Sequence, residues 1–144
     1  MSAKDIIHEA VKTALIKDGW TITNDPYTIE FQDEFLYADL GAERVIAAQR
    51  EHQKIVVECK SFIKLSPIQD FKEALGQYMI YLPLLAQQAP NHRLYIAVDT
   101  NAYQSAFQRQ IVQFLIQLHQ IPLIIVDLEK PEISQWISYP NIVH

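Results

Sequence analysis

The amino-acid sequence predicts an α/β fold of three layers, with helices on both faces of a mixed central sheet. Segments with apolar residues at helical spacing alternate with short apolar runs, which are typical of buried strands. Strand–helix–strand crossovers in the second half imply parallel pairs, whereas short turns in the first half imply antiparallel pairs. The predicted sheet is therefore mixed, and the predicted order of elements is α-β-β-β-α-β-α-β.

The first half of the chain is predicted to form one helix and three strands. Apolar residues recur at helical spacing between Ile6 and Leu15, and Gly19 can take the left-handed conformation that ends a helix, so the helix covers about residues 4–18. A break follows at Pro26. The predicted strands cover residues 34–40, 44–48 and 53–60, with Gly41 between the first two. Because short turns join them, they are expected to form a meander.

The second half alternates helices and strands. Ser66-Pro67 has the form of a helix start, since serine caps free backbone amides and proline is favoured in the first turn. The helix is predicted to run to about Leu85 or Gln87, and a bend at Pro83 is left open. The remaining predicted elements are a strand at 94–98, a helix at 101–117, a strand at 123–126 and an edge strand at 133–137.

Composition limits the classes of protein that fit. The chain has 144 residues, 49% of them hydrophobic, which suffices for a core and predicts a single domain over residues 1–144. No apolar run approaches the roughly 20 residues of a membrane span and no signal peptide is evident, so we expect a cytoplasmic protein. A single cysteine excludes an internal disulfide and a thiolate zinc cluster, so any metal should be a hard ion on oxygen ligands. With a net charge of -5, a nucleic-acid binder would need a local basic patch, a metal or a basic partner.

Charged residues end one of the predicted buried strands. Glu58 and Lys60 follow the apolar run 55–57, and strand geometry places both on the same face. Because a carboxylate and an ammonium are costly to bury, they either reach water or form a site with a third group, for which Asp39 is the natural candidate. The alternative is that Asp39 is a turn residue and that Glu58 and Lys60 form a surface pair of little energetic weight.

The order of these residues carries a resemblance. The pattern consists of an opening helix with Glu9, then Asp39, then Glu58-x-Lys60 on a strand, then a helix with Gln77 and Tyr81. In this pattern the chain resembles the PD-(D/E)xK restriction-endonuclease-like superfamily. The resemblance implies a single endonuclease-like α/β/α domain, a restriction-endonuclease-like fold and a site suited to phosphodiester hydrolysis.

Longer stretches resemble one family more narrowly. They are Ala3-Lys4-Asp5, Asp18-Gly19-Trp20-Thr21-Ile22-Thr23, Asp39-Leu40-Gly41-Ala42-Glu43-Arg44, Glu58-Cys59-Lys60-Ser61-Phe62 and Ala74-Leu75-Gly76-Gln77-Tyr78. In these stretches the chain is similar to the XisH family, cyanobacterial proteins named as fdxN element excision controlling factors. The resemblance implies a role in programmed excision of a DNA element, with DNA, a site-specific recombinase and a small protein called XisI as partners.

The residue types define the chemistry that such a site could perform. Carboxylates of Asp39 and Glu58 can hold Mg²⁺ or Mn²⁺, with the carbonyl of Cys59 as a further ligand. Lys60 would orient or help deprotonate the attacking water, or stabilise developing negative charge. Gln77 would hydrogen-bond a metal-bound water or a phosphate.

Several residues keep two interpretations. The resemblance implies that Glu9 contributes through a water molecule or by contacting a residue that binds the metal, while its place beside the apolar stripe is equally that of a solvated residue. Glu43 and Arg44 form either an exposed charged turn or, through the guanidinium, a phosphate grip. The aromatic residues interpreted as core rather than as base-stacking platforms are Phe31, Phe35, Tyr37, Tyr78 and Tyr81.

Two classes of function remain. One is a metal-dependent endodeoxyribonuclease, which the intact set of Asp39, Glu58 and Lys60 favours. The other is a non-cleaving accessory factor that binds DNA, the recombinase or XisI, which the acidic charge balance favours. A plain interaction protein is a third possibility, and we predict a homo-oligomer or a hetero-complex.

Overall fold

A computed structural model describes residues 2–46, 51–63 and 66–139. Its helices are α1 (Ala3–Lys17), α2 (Pro67–Gln88), α3 (Thr100–Gln104) and α4 (Gln110–His119), with a 3₁₀ turn at Ala106–Gln108. Its strands are β1 (Thr21–Asn24), β2 (Tyr27–Phe31), β3 (Glu34–Ala38), β4 (Leu40–Ile46), β5 (Glu51–Cys59), β6 (His92–Asp99), β7 (Leu123–Asp127) and β8 (Glu132–Ile137). None of the helices in these ranges combines the length and apolar character of a transmembrane segment.

The central sheet is mixed, as predicted. Its six strands lie in the order β1-β4-β5-β6-β7-β8. The pairs β5–β6 and β6–β7, which the helical crossovers join, are parallel, and the pairs β1–β4, β4–β5 and β7–β8 are antiparallel. The α/β class and the edge position of the last strand are confirmed.

The predicted meander is wrong in its first strand. β3 pairs with β2 in a separate hairpin, and the strand predicted at 34–40 ends at Ala38. Gly41 lies inside β4 instead of between strands. The position favours glycine, because a Cβ there would lie 2.8 Å from the Tyr27 ring. Of the strand predicted at 44–48, residues 47 and 48 lie outside the described residues.

The helix predicted at 101–117 is wrong, because the chain breaks it into α3, the 3₁₀ turn and α4. Ser105 leaves the helical conformation, with φ −114° and ψ −82°. Its hydroxyl donates to the Asn101 carbonyl at 2.7 Å, a local bond that competes with the helix. In contrast, α2 continues through Pro83 to Gln88.

Both faces of the sheet are buried, by different helices. On one face Val11 and Leu15 of α1 pack against Ile55 and Val57. On the other face, residues of α2, α4 and the hairpin β2–β3 pack against residues such as Val56. The face of β5 that carries Val56 is therefore core as well, and Glu58 lies at the end of that face.

Three of the five aromatic residues interpreted as core are exposed, so that interpretation is wrong for them. Phe31, Phe35 and Tyr37 lie on the hairpin with 41%, 52% and 57% exposure. Tyr78 and Tyr81 of α2 are buried, as expected.

Candidate active site

Asp39 and Glu58 lie side by side at the ends of two neighbouring strands. Asp39 immediately precedes Leu40, which pairs with Val57, so the register brings Asp39 opposite Glu58. The Asp39 Oδ2 atom accepts a hydrogen bond of 2.8 Å from the backbone N–H of Cys59. This bond fixes the Asp39 carboxylate across the strand pair.

The Glu58 carboxylate is buried, and one of its oxygen atoms lacks a hydrogen bond. The residue is 8% exposed, and its Oε1 atom has no hydrogen-bond partner. Burial, followed by the negative charge of Asp39, raises the pKa of Glu58 to about 8. Because an unpartnered buried charge is costly, this pair favours either a proton or a bound cation.

A cavity of about 170 Å³ opens beside this pair. The side chains that line it include Lys4 of α1, Glu58, Lys60, and Asp70 and Gln77 of α2. The Gln77 Oε1 atom is also buried without a hydrogen-bond partner. The structure therefore brings Glu58, Lys60 and Gln77 to one cavity, with Asp39 next to Glu58.

Lys60 forms a close ion pair with α2. Its Nζ atom lies 2.6 Å from Glu73 Oε2, one helical turn before Gln77. The Lys60 side chain is 18% exposed and that of Glu73 is 37% exposed, so the pair lies at the mouth of the site. The bond orients the ammonium toward α2.

Tyr81 lies beside the two carboxylates, one turn beyond Gln77. Burial, and then the charges of Glu58 and Asp39, raise its pKa to about 12, so the phenol stays protonated. The hydroxyl donates to the Tyr37 carbonyl at 3.3 Å. This bond links α2 to the hairpin just before Asp39.

Cys59 contributes its backbone and not its side chain to this arrangement. Its N–H binds Asp39, while its thiol is buried among the residues of the α1 face. Burial raises the pKa of the thiol well above its usual value, with further contributions from Asp39 and Glu58. The thiol is therefore protonated.

Glu9 is not among the residues that line the cavity. Its side chain is 58% exposed and lies 3.5 Å from the ring of His8. The residue of α1 that lines the cavity is Lys4, whose positive charge lowers the pKa of Glu58.

Glu43 and Arg44 lie further along β4, away from this cavity. The Arg44 guanidinium covers the Trp20 ring at 4.7 Å and contacts Asp18 at 3.6 Å. Glu43 contacts His52 at 3.5 Å. These contacts place Arg44 in the packing of the α1 face.

The sequence interpretation missed three residues of the site, namely Lys4, Asp70 and Glu73. A signal for two of them exists, because Asp70 and Glu73 precede Gln77 by two helical turns and one turn and therefore share its face. Asp70 is 1% exposed, which also marks it as unusual for an acidic residue.

The oxygen donors fit a hard divalent cation that keeps much of its water. In the described ranges no group of three or more His, Cys, Asp or Glu side chains is placed so that it could hold a metal ion. Two carboxylates, with the unpartnered amide oxygen of Gln77 nearby, match the way Mg²⁺ is held by one or two carboxylates, water and substrate phosphate.

The fold and the site define an α/β protein with paired carboxylates and a lysine at the ends of neighbouring strands. The model of the XisH protein family matches residues 1–134, and the chain belongs to the XisH family. It is 41% identical to an XisH family protein from Nostoc punctiforme PCC 73102, with a TM-score of 0.84, over 93% of this chain and 100% of that one. It is 42% identical to a fdxN element excision controlling factor protein from Anabaena variabilis, again with a TM-score of 0.84, over 93% and 99% of the two chains. Among curated proteins, no sequence matches.

Proposed function

We propose that this protein acts in programmed excision of a DNA element and that Asp39 and Glu58 hold Mg²⁺ or Mn²⁺ for hydrolysis of a DNA phosphodiester. The similar protein from Anabaena variabilis is a fdxN element excision controlling factor, which supports the biological role. The observation that carries the chemistry is the buried, unpartnered Glu58 oxygen beside a second carboxylate.

A divalent cation would supply the positive charge and the ligand contacts that Asp39 and Glu58 lack. It would neutralise two neighbouring negative charges and occupy the free lone pairs of Glu58, which a single proton does only in part. When bound, such a cation lowers the pKa of its water and stabilises charge on the phosphodiester. The carbonyl of Cys59, at the end of β5, is the further ligand that the proposal assigns.

Each remaining residue of the cavity receives a role from its position. Gln77 can hydrogen-bond a water or a phosphate oxygen through its unpartnered amide oxygen or its NH₂ group. Lys60 orients the attacking water or stabilises developing charge on the phosphate, once its ammonium leaves Glu73. Lys4 adds positive charge to the lining of the cavity.

Calorimetry tests the metal site. We expect D39N and E58Q each to weaken Mn²⁺ binding by at least about tenfold, the scale of perturbed metal sites. The matched control is E9Q, because Glu9 is an exposed glutamate outside the cavity, and it should bind Mn²⁺ as the wild type does. Unchanged binding in either site variant would remove the proposed site.

A non-cleaving accessory role is the second candidate. It is favoured by the ion pair between Lys60 and Glu73, which draws the ammonium toward α2, and by the net charge of -5. In that role the protein binds DNA, a site-specific recombinase or an XisI-like partner, or assembles with itself.

Supercoiled plasmid with Mn²⁺ separates the two candidates. Cutting by the wild type that is lost in K60M supports the nuclease, because methionine keeps the length of the side chain without its charge. Cutting that survives in K60M is contamination. Intact Mn²⁺ binding without cutting supports the accessory role.

A further inference from the structure

The outer face of the β2–β3 hairpin presents two exposed aromatic rings. Phe35 and Tyr37 are 52% and 57% exposed and lie two residues apart on β3, so they project from the same face. Their cross-strand partners are Glu30 and Thr28. The opposite face of the hairpin is buried against α2, as the complete burial of Ile29 shows.

The hairpin is held firmly on α2. The Gln88 side chain accepts a hydrogen bond of 2.7 Å from the Glu30 N–H and donates one of 3.0 Å to the Thr28 carbonyl. The Tyr81 hydroxyl binds the Tyr37 carbonyl from the same helix. These bonds fix the backbone that carries the two rings before any ligand arrives, which reduces the entropy cost of binding.

The strand that carries the rings leads directly to Asp39. Tyr37 precedes Asp39 by two residues, and its carbonyl accepts a hydrogen bond from the hydroxyl of Tyr81, which lies on α2 one turn beyond Gln77. A nucleotide strand with one phosphate at Asp39 and Glu58 would therefore have its adjoining bases within reach of the hairpin.

We propose that Phe35 and Tyr37 form a stacking platform for unpaired nucleobases, so that the site takes DNA with a single-stranded segment rather than intact duplex. This inference rests on the proposed function for the identity of the ligand. Residues two apart on a strand are separated by about 6.8 Å, which is about twice the stacking distance of bases and admits one base between the rings.

Charge limits where the phosphate backbone of such a strand can run. Glu30, opposite Phe35, repels phosphates from the outer end of the platform. The positive side chains of Lys4 and Lys60 line the cavity instead, where the phosphate is proposed to lie. Bases stack on rings independently of sequence, so the platform predicts little sequence preference.

Fluorescence anisotropy with a labelled single-stranded oligonucleotide and its duplex, both in EDTA, tests the platform. The wild type should prefer the single strand, and the variant with F35L and Y37L should lose at least about tenfold in affinity for it, the scale of base–aromatic stacking. F114L is the matched control, because Phe114 is 62% exposed on α4 and has no place in the platform. Its affinity should equal that of the wild type.

Equal affinity of the wild type and the double variant overturns the inference, as does the absence of a preference for the single strand. A change of particle mass in light scattering with unchanged oligonucleotide binding also overturns it, in favour of a protein contact. Mn²⁺ calorimetry of the wild type keeps the two proposals apart. Cation binding without preference for the single strand overturns only the platform, and the preference without cation binding overturns only the metal site.

Discussion

The pH dependence of stability offers a direct test of the buried Glu58 carboxyl. Its pKa rises from 4.5 to about 8 on folding, chiefly through burial and secondly through Asp39. Between these values the native state binds more protons than the unfolded state, so stability is highest at low pH and falls as pH rises toward the folded pKa. At about 1.4 kcal/mol for each pKa unit, the loss has an upper bound of about 5 kcal/mol.

Urea unfolding in EDTA, over a series from about pH 5 to pH 9, measures this loss as a falling free energy of unfolding. E58Q removes the titrating group while keeping its shape. The free energy of unfolding of the wild type, relative to that of E58Q, should therefore fall as pH rises. D39N should reduce the change without abolishing it, because burial remains. E9Q is the control and should follow the wild type, since Glu9 is exposed.

Saturating Mn²⁺ should flatten the wild-type curve, because a cation in place of the proton removes the difference in proton uptake. Parallel curves for the wild type and E58Q in EDTA would refute the reasoning. They would mean that Glu58 ionises in the folded protein as it does in the unfolded chain. The expected slope is at most about 1.4 kcal/mol per pH unit, that of a single proton.

Three further predictions concern stability. G41A should lower the free energy of unfolding by about 1–3 kcal/mol in urea titration, because its Cβ would meet the Tyr27 ring at 2.8 Å. G76A should raise it by up to about 1 kcal/mol, since nothing lies within 4 Å and alanine favours the helix; a loss in G76A would contradict this. The pKa of Asp25 is lowered, first by its hydrogen bond with Lys12, so its stabilising contribution is present above its ordinary pKa and lost as pH falls through the folded pKa. D25N should therefore destabilise the protein at neutral pH and lose that difference in acid, and an undiminished difference at low pH would refute the assignment.

Strand geometry explains why the proximity of Asp39 and Glu58 could be predicted from sequence. The alternation along β5 sends Glu58 to the face of Val56, and the antiparallel neighbour β4 returns the chain so that Asp39 lies opposite Glu58. These are short-range consequences of a period of two. The roles assigned to these residues in catalysis remain predictions.

Residues brought in by helices were harder to place. Whether Glu9 or Lys4 reaches the cavity depends on how α1 docks on the sheet, which its own periodicity does not specify. Similarly, Glu73 and Asp70 share the face of Gln77, but only tertiary packing directs that face at Glu58.

The pairing of β2 with β3 is hard to predict from sequence for a related reason. β2 has five residues and follows Pro26, so its local signal is weak. The bonds that hold it come from Gln88, which lies 58 residues after Glu30 and 60 after Thr28. The general preference of aromatic residues for the core predicts that Phe35 and Tyr37 are buried, whereas only their neighbours on the strand point inward.

The buried thiol of Cys59 can report local opening of the protein. The thiol is the sole sulfhydryl of the chain and is buried beneath α1, with 4% exposure of the residue. The backbone N–H of the same residue donates a hydrogen bond to Asp39. Because this thiol is buried in the cluster beneath α1, an alkylating reagent reaches it through local opening of the structure, so the labelling rate measures the free energy of that opening. Such a measurement would report how firmly the helical layer behind the carboxylates is anchored to the sheet.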